Sequence, residues 1–85
     1  GFVNYGLSVD GVVLAAIFIE NREEGIVKIS LRSRGAFSVN KMARAHFEGG
    51  GHINAAGGRS AESLEETAAR FESLLPDYKP ELLAV

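Results

Sequence analysis

Residues 49–58 read Gly-Gly-Gly-His-Ile-Asn-Ala-Ala-Gly-Gly, a histidine with three glycines before it and two shortly after. Glycine gives up more backbone freedom on folding than any other residue, so this concentration needs a reason. Consecutive glycines let a backbone approach a ligand and turn several N–H groups into one concavity, an arrangement that binds anions, phosphate above all. A histidine directly behind them, His52, can donate to a phosphate oxygen or exchange a proton with it near neutral pH. Asn54 adds an amide with both donor and acceptor. Each charge-assisted hydrogen bond is worth on the order of 1.5–3 kcal/mol, so two or three give useful affinity. Gly50, Gly51, His52 and Asn54 are therefore candidate phosphate-binding residues, with Gly49 in support.

Charge is distributed in the same sense. The chain carries a net −2, yet residues 26–61 hold Lys28, Arg32, Arg34, Lys41, Arg44 and Arg59 against the single acid Glu48. That segment is +5 and the remainder −7. An acidic chain does not coat itself with nucleic acid, but local potential decides where an anion docks.

Other chemistries lack their residues. Metal-dependent hydrolysis needs about three ligands per ion; here His46 and His52 are the only histidines and Glu48 is the only acid near them. No metal site is expected in these residues. A Ser-His-Asp arrangement is equally unsupported, since Asp10 and Asp77 are remote in sequence and no serine sits in a strained elbow. The chain has no cysteine, which excludes disulfides and thiolate ligands. No signal peptide is evident, and the longest apolar run, Val12 to Ile19, is too short to span a membrane. The expected setting is the cytoplasm, away from membranes. At 85 residues the chain reads as one small domain, 1–85. It starts at Gly1 without an initiator Met, and a piece of a longer polypeptide is the expectation.

The elements that must position the loop follow from periodicity. Val3, Tyr5, Leu7 and Val9 alternate with polar or small residues, the pattern of a half-buried strand. Asp10-Gly11 supplies a hairpin turn. The unbroken run Val12 to Ile19 reads as a central strand covered on both faces. In Ile26 to Arg32, Val27, Ile29 and Leu31 face one side; Lys28, Ser30 and Arg32 face the other. A three-stranded antiparallel meander results. Ser38 caps a helix whose apolar side is Val39, Met42, Ala43 and Phe47, and Gly49 is expected to end it in a left-handed cap. Ser63-Leu64-Glu65-Glu66 is a capping box before the stripe Leu64, Ala68, Phe71, Leu75, which Pro76 is expected to stop after about 13 residues. Ala55 to Ser60 leaves room for a turn and a short strand, and the tail from Asp77 for a segment along the surface. The fold class is α+β: a small mixed β-sheet, the antiparallel meander plus a short strand, packed with two main α-helices.

Taken together, "ISLRSRG" at 29–35, "VNKMARAHFEGGGHINAAGG" at 39–58 and "SLEE" at 63–66 closely resemble the C-terminal, DHH-associated domain of DHH-family phosphoesterases. The nearest branch holds the oligoribonucleases, phosphoadenosine-phosphate phosphatases and exopolyphosphatase-related proteins. The resemblance runs from about Phe2 to Leu75. It implies a two-domain enzyme that hydrolyses phosphoester bonds. An N-terminal domain would carry an Asp-His-His motif with manganese or magnesium, while this domain closes over the cleft and grips substrate. By the resemblance Arg32 is the substrate-binding arginine, Gly50, Gly51 and His52 form the glycine-histidine loop, and Asn54 lies in the matching stretch. Ser33, Arg34 and Gly49 support them; no catalytic residue is expected within these residues, His52 being the one candidate contributor. The Asp-His-His motif and its metal ligands are absent from these residues, and Glu48 stands where relatives often have a fourth glycine. The partners implied are the N-terminal DHH domain of the same polypeptide, a short oligonucleotide or nucleotide, and a second copy in a homodimer of the full-length protein.

Two other classes compete. A stand-alone module for single-stranded nucleic acid needs stacking aromatics, and most of the aromatics here are assigned to the core. An RNA-contacting or assembly domain like that at the end of alanyl-tRNA synthetases fits the "RSRG" segment and the short length less well.

Overall fold

The computed structural model of the protein describes residues 1–9 and 11–83. Three strands come first: β1 (Phe2–Val9), β2 (Val12–Asn21) and β3 (Ile26–Arg34). Helix α1 (Val39–His46) is followed by β4 (Gly50–His52), β5 (Ala55–Ser60) and helix α2 (Leu64–Leu83). The five strands form one sheet in the order β1-β2-β3-β5-β4. The α+β class and the meander are as expected; the sheet itself is antiparallel in all four pairings rather than mixed. Asp10 of the expected turn lies outside the described residues, as do 84–85. Gly11 takes a φ of 83°, the left-handed conformation a tight turn uses.

Alternation decides which face is covered. Leu14, Ala16 and Phe18 of β2 and Val27, Ile29 and Leu31 of β3 are buried under the helices with Val39, Met42, Ala43 and Phe47. Phe71 of α2 sits between Tyr5 and Phe18, each ring edge-on at 5.3 Å. The polar pair buried at this depth, Thr67 and Ser60, is satisfied: Thr67 Oγ1 donates to Ser60 Oγ at 2.8 Å. Each of the larger apolar side chains so buried stabilises the fold by about 1.5–3 kcal/mol before the entropy of ordering it is subtracted.

Among the described residues the other face has no helix on it, which corrects the reading of β2 as covered on both sides. Ile17 is 38% exposed and Ile19 50%, beside Phe2 at 67%. An unbroken apolar run suggests double burial, but here half of it faces outward.

Helix ends also differ from expectation. Ser38 caps α1, accepting the Lys41 N–H at 3.3 Å. The left-handed residue after the helix is Glu48, with φ 49°, not Gly49. Helix α2 begins as expected, Ser63 Oγ accepting the Glu66 N–H at 3.1 Å. It then runs through Pro76 and Pro80 for 20 residues, so neither the stop at Pro76 nor a surface tail is observed. An interior proline removes a hydrogen bond and crowds the carbonyl four residues back, costing about 3 kcal/mol. What offsets it is burial beyond the prolines. Leu82 is 4% exposed, and Tyr78 packs edge-on against Phe37 at 5.7 Å and bonds through its hydroxyl to His46 Nε2 at 2.9 Å. Among the described residues no helix is long and apolar enough to cross a membrane.

Candidate functional site

Directly paired residues of neighbouring antiparallel strands share a face, so the pairing scheme maps the uncovered side of the sheet. Arg32 of β3 pairs with Ala55 of β5, and Ala55 with His52 of β4. One row along, Ser30 pairs with Gly57 and Gly57 with Gly50; one row further, Lys28 pairs with Arg59. Strands lie about 4.8 Å apart, so the backbones of Arg32 and His52 are roughly 10 Å apart on the same face, within reach of one oxyanion for a long arginine arm. Both side chains are exposed. Arg32 holds itself against the sheet by one bond, Nη1 to the Leu31 carbonyl at 2.9 Å, and its other guanidinium donors have no hydrogen-bond partner among the described residues.

Beside Arg32 is a depression of about 250 Å³ lined by Ser30, Arg32, Gly50, Ala55, Ala56 and Gly57; His52 stands outside this lining, next to Ala55 across the strand pair. A second depression, about 460 Å³, shares Ser30, Gly50 and Gly57 with it and continues to Lys28, Arg59, Glu24 and Glu48. The two form one trough whose middle is glycine and serine, with Arg32 at one end and Lys28 and Arg59 beside Glu24 and Glu48 at the other.

The glycines have a structural explanation that differs from an open nest of donors. A Cβ on Gly49 would stand 1.8 Å from the Gly57 carbonyl oxygen, and one on Gly51 2.6 Å from the Ala55 oxygen. One on Gly58 would stand 2.7 Å from the Phe47 oxygen. These residues are glycine because the segment after α1 lies backbone-to-backbone on β5. The Gly49 N–H donates to the Ala43 carbonyl at 3.2 Å and the Gly51 N–H to Asn40 Oδ1 at 2.9 Å. Both donors are thus used inside the fold, and the side chains of Arg32 and His52 are left as the groups facing solvent.

Asn54 and Ser33 form a clasp. Asn54 Nδ2 donates to Ser33 Oγ at 2.9 Å and to the Gly35 carbonyl at 3.1 Å. Ser33 Oγ in turn donates to the Phe37 carbonyl at 2.8 Å. Backbone bonds from Ser33 N–H to Asn54 O and from Val39 N–H to Ile53 O complete it. The clasp fastens the β4–β5 turn, which follows His52, to the end of β3, which follows Arg32. Arg34 is exposed next to Arg32 along the same face and lines a smaller hollow with Val13, Ala15, Arg32 and Ser33.

The second histidine is elsewhere, bonded to Tyr78 on the helix side. Burial, then the carboxylates of Glu81 and Asp77, push the Tyr78 hydroxyl above its ordinary pKa. Among the described residues no three His, Cys, Asp or Glu side chains are grouped to hold a metal ion.

Three contributors are not visible in the sequence as parts of a site. Arg59 belongs to the charged segment, but Ala-Ala-Gly-Gly-Arg has no apolar alternation to show which way it faces. Asn40, which holds Gly51, carries no sequence signal, and Gly57 is visible only as part of the glycine segment, not as the floor of a trough.

Comparison with known proteins identifies the family. The family described as DHHA1 domain matches residues 1–77. The bifunctional oligoribonuclease and PAP phosphatase NrnA of Thermus thermophilus is 46% identical over 82 residues, covering 96% of this chain and 23% of its own length. The crystal structure of an exopolyphosphatase-related protein from Bacteroides fragilis superposes with a TM-score of 0.76 at 43% identity, over 81% of this chain and 20% of that one. The chain spans less than a quarter of the length of either relative.

Proposed function

The chain belongs to the DHHA1 domain family, and we propose that it is the substrate-gripping lobe of a DHH phosphoesterase acting on short oligonucleotides or nucleotides. The observation that carries this reading is the pairing of Arg32, Ala55 and His52 in one row of an uncovered sheet face, beside a floor of glycine and serine. A guanidinium offers a planar fork of donors suited to phosphate oxygens, and an imidazole a further donor. Gly57, where a Cβ would meet only the Ile29 oxygen at 3.5 Å, lets the nucleotide lie close to the sheet, whereas a Cβ on Gly50 would meet Asn40 and Arg44 of α1; Gly51, Asn54 and Ser33 act by holding His52 in place. Bond cleavage is assigned to an N-terminal DHH domain of the same polypeptide, which would supply the manganese or magnesium; among the described residues no three His, Cys, Asp or Glu side chains are grouped to hold one. The exposed apolar side chains Phe2, Ile17 and Ile19, on the same face, suit contact with that domain.

The reading is tested with the intact protein, manganese, and di- to pentanucleotides. Arg32→Ala and His52→Ala are each expected to raise KM by about tenfold, the loss of one charge-assisted hydrogen bond of roughly 1.5 kcal/mol. Unchanged KM and kcat in both variants would refute the assigned roles.

A further inference from the structure

We propose that Lys28 and Arg59 form a second anion subsite. It takes a phosphate of an oligonucleotide several nucleotides from the one held at Arg32 and His52, so that this lobe favours chains over single nucleotides. The inference rests on the phosphate-gripping reading above.

Lys28 and Arg59 are directly opposite each other on β3 and β5, and both are exposed. Like charges so placed destabilise a sheet, and an anion between them removes the conflict. Their only ion pair among the described residues is Lys28 Nζ to Glu24 Oε1 at 3.6 Å, with both side chains more than half exposed. Such a pair is weak and readily exchanged. Glu48, at the rim of the same depression, forms no ion pair with Arg59 among the described residues. Arg59 therefore has no compensating carboxylate in contact.

Lys28 is four residues from Arg32 along β3. At about 3.3 Å per residue the two subsites are roughly 13 Å apart. A stacked single strand advances about 3.4 Å per nucleotide, so this span corresponds to about four nucleotides, and fewer in an extended chain. The glycine and serine floor of Ser30, Gly50 and Gly57 joins the two ends without obstruction. A pentanucleotide reaches both ends; a nucleotide carrying two phosphates on one ribose, or a dinucleotide, reaches one.

The test is equilibrium binding of the intact protein to RNA di- and pentanucleotides, in EDTA to prevent turnover, at several salt concentrations. For Lys28→Gln/Arg59→Gln the Kd for the pentanucleotide is expected to rise about 5- to 10-fold. The slope of log Kd against log salt should fall by about 0.7, the value for the one phosphate the variant no longer neutralises. The dinucleotide Kd should change less than about twofold. The exchange Lys28→Arg/Arg59→Lys, which keeps both charges, should retain pentanucleotide binding. Equal weakening for both lengths, or no change for either, would overturn the subsite. If Arg32→Ala and His52→Ala weaken both lengths while the double variant weakens neither, the subsite falls and the phosphate-gripping reading stands. If Arg32→Ala and His52→Ala change neither length, that reading falls too.

Discussion

Replacing Gly49 by alanine is the smallest possible change to the glycine segment, and the structure gives its consequence a size. The added Cβ would lie 1.8 Å from the Gly57 carbonyl oxygen and 2.7 Å from the Gly58 Cα, both backbone atoms that cannot rotate away. Relief requires the loop and β5 to separate by about 1 Å or more, since carbon and oxygen rarely approach within about 3 Å without a hydrogen bond. That separation stretches the bonds from Arg59 N–H to Phe47 O at 2.8 Å and from Gly49 N–H to Ala43 O at 3.2 Å. Each such bond left unmade in a buried setting costs about 1–3 kcal/mol. With the packing of Phe47 on β5 disturbed as well, the expected loss is about 3 kcal/mol or more. For a domain of this size that lowers the melting temperature by about 12–24 °C. The assay is thermal unfolding followed by circular dichroism. Gly6→Ala is the internal comparison, because a Cβ there meets nothing within 4 Å; its melting temperature should stay level or rise slightly. Were Gly49→Ala to melt within about 3 °C of the parent protein, the close-approach explanation of the glycines would be wrong.

Gly57→Val should separate stability from binding: a Cβ there makes only an ordinary contact, 3.5 Å from the Ile29 oxygen, so unfolding should move by less than about 1 kcal/mol while oligonucleotide Kd rises severalfold as the trough floor fills. Leu82→Ala should cost about 2–4 kcal/mol in denaturant unfolding, since Leu82 is buried beyond both prolines; a loss under about 0.5 kcal/mol would mean that α2 is not packed past Pro76. The raised pKa of Tyr78 favours its neutral form in the folded state, so its contribution is present below about pH 10 and is lost as pH climbs through the higher folded value. Tyr78→Phe should therefore flatten part of the alkaline decline in stability above about pH 10, and an unaltered decline would contradict it.

The elements with regular alternation are legible from sequence. Val27, Ile29 and Leu31 against Lys28, Ser30 and Arg32 place the guanidinium on the open face with no knowledge of the pairing. The apolar side of α1 is equally plain. Two departures share a cause, which is that tertiary packing outweighs local propensity. Pro76 opposes a helix locally, yet Tyr78 and Leu82 anchor the helix beyond it. The run Val12 to Ile19 resembles a doubly buried strand, yet nothing in it reveals that one layer of helices is missing. For the site, the glycine-histidine segment is recognisable as a unit, but the purpose of its glycines is not. Clearance from β5 is a property of two segments in space, and Gly49 or Gly51 alone cannot encode it. Asn54 likewise reads as a free amide in sequence and proves to be a clasp on Ser33 and Gly35.

The central claim is that Arg32 and His52 face one phosphate across the uncovered sheet. It is tested most directly by nuclear magnetic resonance of the intact protein, isotope-labelled in arginine and histidine side chains and titrated with a non-hydrolysable dinucleotide. The guanidinium signal of Arg32 and the imidazole signals of His52 should shift together with one saturating midpoint. Arg70, whose guanidinium lies 5.0 Å from the Phe47 ring on the helix side, should not move. Shifts at Arg70 with none at Arg32 and His52, or no shift at any of them at saturating ligand, would contradict it.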